Sequence, residues 1–148
     1  MSIHTDLQSL YEIDSYQWLE ETIKLLKSNS LDAIDLEHLI EELEDLGRSE
    51  RNAVESLLEQ IIRHLLLLQY WSEESFLNSA HWRAEITGFR TQLKRKLTSN
   101  LRNHLQKELA SLYQDALAYV QQKTSLKVNF PEDIPYSLEE LLDLNWLP

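Results

Sequence analysis

The sequence predicts an all-α protein, and three observations carry that expectation. Two glycines and three prolines in 148 residues leave too little turn chemistry for a β-rich fold. Apolar residues recur at i, i+3, i+4 and i+7 in one segment after another. Asp14 and Ser137 head two such segments, with Gln17 and Glu140 three residues on, the spacing of a capping box. The expected architecture is a single helical bundle of four to five main helices over 1–148, followed by an extended C-terminal segment and a short terminal helix.

The first expected helix starts at Asp14, carries Trp18, Leu19, Ile23 and Leu26, and ends at the connector Ser28-Asn29-Ser30. The second starts around Asp32 or Asp35. Its apolar set Leu36, Leu39, Ile40, Leu43 and Leu46 fills an arc of about 120°, which reads as one buried stripe. Gly47 either stops that helix, with Ser49 capping a new one, or sits inside it at a cost of about 1 kcal/mol. Val54, Leu57, Leu58, Ile61, Ile62, Leu65, Leu66 and Leu68 then define a long helix, apolar nearly all round at its end and so central to a core or an interface.

The stretch YWSEESFLNSAHW reads as a loop, with Asn78 or Ser79 capping the next helix, whose stripe is Trp82, Ile86, Phe89, Leu93 and Leu97. Thr98 to Asn100 marks a turn. A further helix bearing Leu105, Leu109, Leu112, Tyr113, Ala116 and Val120 runs to about Lys123. All three prolines fall in the C-terminal FPEDIPYSLEELLDLNWLP, an expected extended cover for the bundle ending in a short helix.

With no cysteine, the chain has no disulfide, thiolate metal site or thiol nucleophile. The N-terminal MSIHTDLQSLYEIDSY lacks the basic start and apolar run of an export signal, and Leu65–Leu68 is far shorter than the ~18 residues of a membrane span, so a soluble cytoplasmic protein is expected. The net charge of −11 disfavours nucleic acid as a partner. Charge is unevenly spread: residues 1–74 hold 17 acids against 5 bases, 81–107 hold 1 against 7, and 108–148 hold 7 against 2.

Three constellations compete for function. His38, Glu41, Glu42 and Asp45 share the face of the acidic helix away from its apolar stripe, with i, i+4 spacings that suit manganese, iron or zinc; His64, at the border of its own stripe, is the remaining candidate ligand. The outward geometry favours a solvated or partner-facing surface over a divalent-metal site, and no cofactor is expected. Arg83, Arg90 and Lys94 form a basic ridge beside Trp82, which reads as a complement to the acidic Glu41, Glu42 and Asp45 within the chain or across a homodimer. With Arg95 and Arg102, the same ridge is the candidate for phosphate or nucleic-acid binding. No nucleophile elbow, phosphate loop, dinucleotide fingerprint or zinc-protease motif is present, so no catalytic residue is assigned. The expected function is that of a non-catalytic interaction or regulatory protein; a metal-dependent enzyme is the alternative.

DSYQWLEETIKLLK, EELEDLGRSER, HLLLLQYW, HWRAEI and the closing FPEDIPYSLEE with its terminal LP together make the chain resemble a bacterial, cyanobacteria-rich family called domain of unknown function 29. The resemblance runs from about Tyr11 to Pro148 and implies a compact all-helical protein, with no reaction or cofactor to carry over. Asp35, Glu41, Glu42, Glu44, Asp45, Gly47, Arg48, His64, Trp82 and Pro131 match the family pattern, while Asn100 stands where a proline is expected.

Overall fold

The computed structural model describes residues 3–148; the first two residues of the stretch read above for an export signal lie outside it. The chain is all-α: α1 (Ile3–Ile13), α2 (Ser15–Lys27), a 3-10 turn (Leu31–Ala33), α3 (Leu36–Tyr70), α4 (Ser72–Lys96), α5 (Ser99–Lys123) and α6 (Leu138–Leu142), with no strand among the described residues. Gly47 is an interior residue of α3, which runs unbroken for 35 residues. Contacts gather in two units, Met1–Ser49 and Glu50–Pro148.

In the first unit, α1 adds a helix that the sequence reading did not set apart. It ends where Asp14 begins α2: the Asp14 amide donates to the Leu10 carbonyl at 2.7 Å, and its carboxylate accepts the Gln17 amide at 3.0 Å. α1 packs on α2. At the end of α2, Asn29 adopts φ 57°, and the amides of Asn29 and Ser30 return to the carbonyls of Leu26 and Leu25. That is a Schellman stop, made with asparagine where glycine is commonest.

The second unit carries the large core. Val54, Leu58, Ile61, Ile62, Leu65 and Leu66 of α3 are fully buried, packed with Trp82, Ile86 and Leu93 of α4 and with Leu105, Tyr113, Ala116 and Val120 of α5. The expected loop after Tyr70 is instead a single non-helical residue, Trp71, and α4 starts at Ser72 rather than near Asn78. Glu73 and Glu74 in its first turn suit the positive end of the helix dipole, so this turn forms without a buried stripe. Phe76 and Leu77 there are exposed, which is why periodicity gave no sign of it.

Thr98 caps α5 through the Leu101 amide at 3.2 Å, and α5 ends at Lys123 as expected. Ser125 and Leu126 follow at φ 55° and 60°, with amides returning to Gln122 and Gln121, a second Schellman stop. The proline segment then lies along the unit: Tyr113 donates its hydroxyl to the Pro131 carbonyl at 2.6 Å and Tyr136 donates to Gln69 Oε1 at 2.7 Å. Burial pushes the Tyr113 hydroxyl pKa up to about 12, keeping it a donor. α6 has the full capping box of Ser137 and Glu140, both reciprocal bonds being made.

Candidate functional site

Ionisable and aromatic side chains converge in the first unit, and the start of α3 organises them. Asp35 precedes α3 and caps it weakly, its Oδ1 accepting the His38 amide at 3.4 Å. Its other oxygen, Oδ2, accepts two bonds, from His38 Nδ1 at 2.6 Å and from the Trp18 indole at 3.1 Å. Trp18 and Asp35 are both buried. Tyr11 of α1 stacks on the His38 ring, with centroids 3.9 Å apart and planes 13° apart, and donates its hydroxyl to Glu42 Oε1 at 2.6 Å.

The electrostatics follow from these bonds. Burial works against ionising Asp35, but the hydrogen bonds from His38 and Trp18 outweigh it and hold the carboxyl below its ordinary range. His38, bonded to that carboxylate and near Glu41 and Glu37, has its pKa raised against the opposing effect of burial. The bond to Glu42, aided by burial, raises the Tyr11 phenol well above its ordinary value, so it stays a donor.

A histidine whose Nδ1–H is pinned to a buried carboxylate is the geometry of a general base or a metal ligand, but either use needs a third group. Among the described residues, no three histidine, cysteine or acidic side chains gather as a metal site would require. In this chain the dyad ties α1, α2 and the start of α3 to one another.

The orientation of α3 in this unit corrects the expected buried stripe at four of its five positions, Leu39 alone of them being half-buried. Leu36 is 61% exposed, Ile40 47%, Leu43 60% and Leu46 60%. The side of the helix carrying His38 and Glu42 turns inward instead, because Asp35 bonds to His38 and Tyr11 to Glu42, while Trp18 holds Asp35 in place. Glu41 and Asp45 stay exposed, Asp45 paired with Arg48. Leu19, Ile23 and Leu26 of α2 are also more than two-fifths exposed, next in angle to the buried Trp18 and Thr22. The first unit thus packs a polar cluster inside and leaves an apolar face outside.

The other candidates are placed separately. His64 belongs to the second unit; its Nδ1 donates to the Gln60 carbonyl at 2.7 Å, its ring sits 5.4 Å from Phe89, and burial lowers its pKa. Arg90 does not share an exposed ridge with Arg83 and Lys94. It is 3% exposed, and its guanidinium donates to the carbonyls of Leu141, Trp146 and Glu140 at 2.8, 2.7 and 3.1 Å. Arg83 and Lys94 remain at the surface, and Arg102 meets Glu139 at 3.3 Å.

Tyr11 and the paired role of Trp18 and Asp35 escaped the sequence reading. The one available signal was that a buried indole N–H needs an acceptor, and Asp35 is an acid set just ahead of a helix.

Fold and site together define an all-helical protein with a small N-terminal unit, pinned by a Tyr-His-Asp-Trp cluster, and a larger apolar-cored unit. Over residues 10–147 the chain matches the family described as Domain of unknown function DUF29, and it belongs to that family. Comparison with curated proteins and with solved structures finds no match. No helix is long and apolar enough to cross a membrane among the described residues.

Proposed function

We propose that this chain is a non-catalytic interaction protein that engages a protein partner through the apolar face of its N-terminal unit. One observation carries the reading: Leu36, Ile40, Leu43 and Leu46 form a continuous helical stripe, exposed although it has the spacing of a buried one. Scattered exposed leucines need no explanation, but an aligned row on one helix, with a second row on α2, is the signature of a surface built to be covered. The Asp35–His38 pair supports it by fixing the rotation of α3, so that the apolar side faces outward.

The test is a photo-crosslinking amino acid placed at Leu43 in the full chain, in the cells that make it, with Asp45 on the opposite face as the control position. Adducts at Leu43 that disappear with Ile40→Glu, and are absent at Asp45, are expected. Equal yields at both positions, or none at either, would refute the reading.

A further inference from the structure

We infer that the second unit binds a small organic anion, a carboxylate or phosphate monoester with an apolar tail, in the cleft between the end of α4, the start of α5 and the segment after α6. The cleft lies wholly within the second unit, so it stands or falls apart from the interaction reading above.

The cleft measures about 490 Å³, within the size range of small-molecule sites. Arg90, Lys94 and Arg102 bring three cations to its lining against one acid, Asp143. That balance runs against the chain as a whole, whose net charge is −11.

Arg90 carries the argument. It is buried, yet it forms no ion pair among the described residues: its acceptors, the carbonyls of Leu141, Trp146 and Glu140, are all neutral. A guanidinium has five N–H donors, so these three bonds leave two without an acceptor in the chain. Burial lowers its pKa and Asp143 only partly offsets that, as expected of a desolvated charge short of a counter-ion. Buried charges are paired as a rule, and one that lines a cleft without a partner marks where an anion completes the pairing.

The neighbouring groups are placed to join it. Lys94, one turn after Arg90 on α4, makes no hydrogen bond or ion pair among the described residues. Arg102 meets Glu139 at 3.3 Å in an exposed pair, weak enough for an incoming anion to compete with. Asp143 is partly engaged already, its Oδ1 accepting the Asn145 amide at 2.9 Å. Leu97, Leu142 and Leu144 complete the lining, and they select a ligand with a few carbons behind its anionic group over a bare inorganic ion.

The test is a nuclear magnetic resonance titration of the isotope-labelled full chain at constant ionic strength. Hexanoate and butyl phosphate are the tailed probes, and acetate and inorganic phosphate their tailless counterparts. Amide shifts at residues 94–97 and 142–146 that saturate with a dissociation constant below about 1 mM are expected for at least one tailed probe. Its tailless counterpart should bind at least about tenfold more weakly, and the tighter of the two tailed probes identifies the head group. Arg90 is left in place, since it also holds the C-terminal segment. Lys94→Glu, at an exposed position, should weaken binding at least about tenfold, and Arg102→Gln should weaken it in the same direction. Lys127→Glu makes the same change of charge beyond the far end of α5 and should alter affinity less than about twofold.

The inference is overturned by the absence of saturable shifts up to about 20 mM of either tailed probe. Equal binding of tailed and tailless probes, or equal losses in Lys94→Glu and Lys127→Glu, would overturn it too.

Discussion

Replacing Arg90 by methionine should release the C-terminal segment while sparing the rest of the second unit. The side chain is buried and feeds three carbonyls that follow it by fifty or more positions, those of Glu140, Leu141 and Trp146. Hydrogen bonds from a charged donor contribute about 1.5–3 kcal/mol each. Against them stands the desolvation of the guanidinium, visible as a lowered pKa that nearby Asp143 only partly offsets. Methionine removes that penalty and fills much of the volume.

What methionine leaves behind decides the balance. Glu140 still receives the Asp143 amide at 3.3 Å, whereas Leu141 and Trp146 lose their side-chain donor. Stranding two carbonyls costs about 1–3 kcal/mol each, so a net loss of about 3–5 kcal/mol is expected. Arg90→Lys keeps the charge but cannot serve three acceptors from one ammonium, and should fall between the two. The assay is urea unfolding followed by circular dichroism, with hydrogen exchange on residues 138–147. A loss under about 1 kcal/mol with α6 still protected would refute the clamp.

Three further outcomes are expected. The Asp35–His38 pair gives the N-terminal unit a pH profile. The His38 share, with its pKa raised, is full below the ordinary histidine value and is lost as pH rises through the raised one. The Asp35 share, with its pKa lowered, is present above the ordinary carboxylate value and is lost as pH falls through the lowered one. Amide protection of α2 should therefore be greatest between about pH 4 and 6.5, and Asp35→Asn should flatten the profile; an identical profile in that variant contradicts the assignment. Ser125→Gly should raise stability by about 0.5–1 kcal/mol in thermal unfolding, because φ 55° suits glycine; a lower melting temperature would contradict it. Leu58→Ala should cost about 2–5 kcal/mol, whereas Leu43→Ala in dilute protein should cost less than about 0.5, and similar losses would mean the α3 stripe is buried after all.

Local signals carried the helix ends. Asp14 and Ser137 are caps read from neighbours within three residues, and each makes its expected bond, whereas Thr98, read only as part of a turn to Asn100, caps a helix that already includes Ser99 and Asn100. The second half of α3 was equally legible as a helix, its apolar run pointing to a core or an interface, and its residues are buried in the core of the second unit. The start of α4 was not, since an exposed, acidic first turn needs no apolar period. Periodicity revealed that Leu36 to Leu46 form a stripe but not what covers it. The choice of inward face was made by Tyr11, which reaches Glu42 and the His38 ring from α1, and by Trp18, which holds Asp35 at the head of α3, and such contacts leave no periodic trace. Arg90 sat at the correct angle, beside the stripe, but its acceptors lie in a segment with no sequence cue pointing back to it.

The central claim is that α3 begins with the His38 and Glu42 side inward and its apolar side available to a partner. Because the chain has no native cysteine, Leu43→Cys gives a single reporter, and its thiol labelling rate can be followed against protein concentration. Rapid labelling of the purified chain in dilute solution is the expected result. Slow labelling at every concentration would mean that the face is covered within one chain, and would contradict the account.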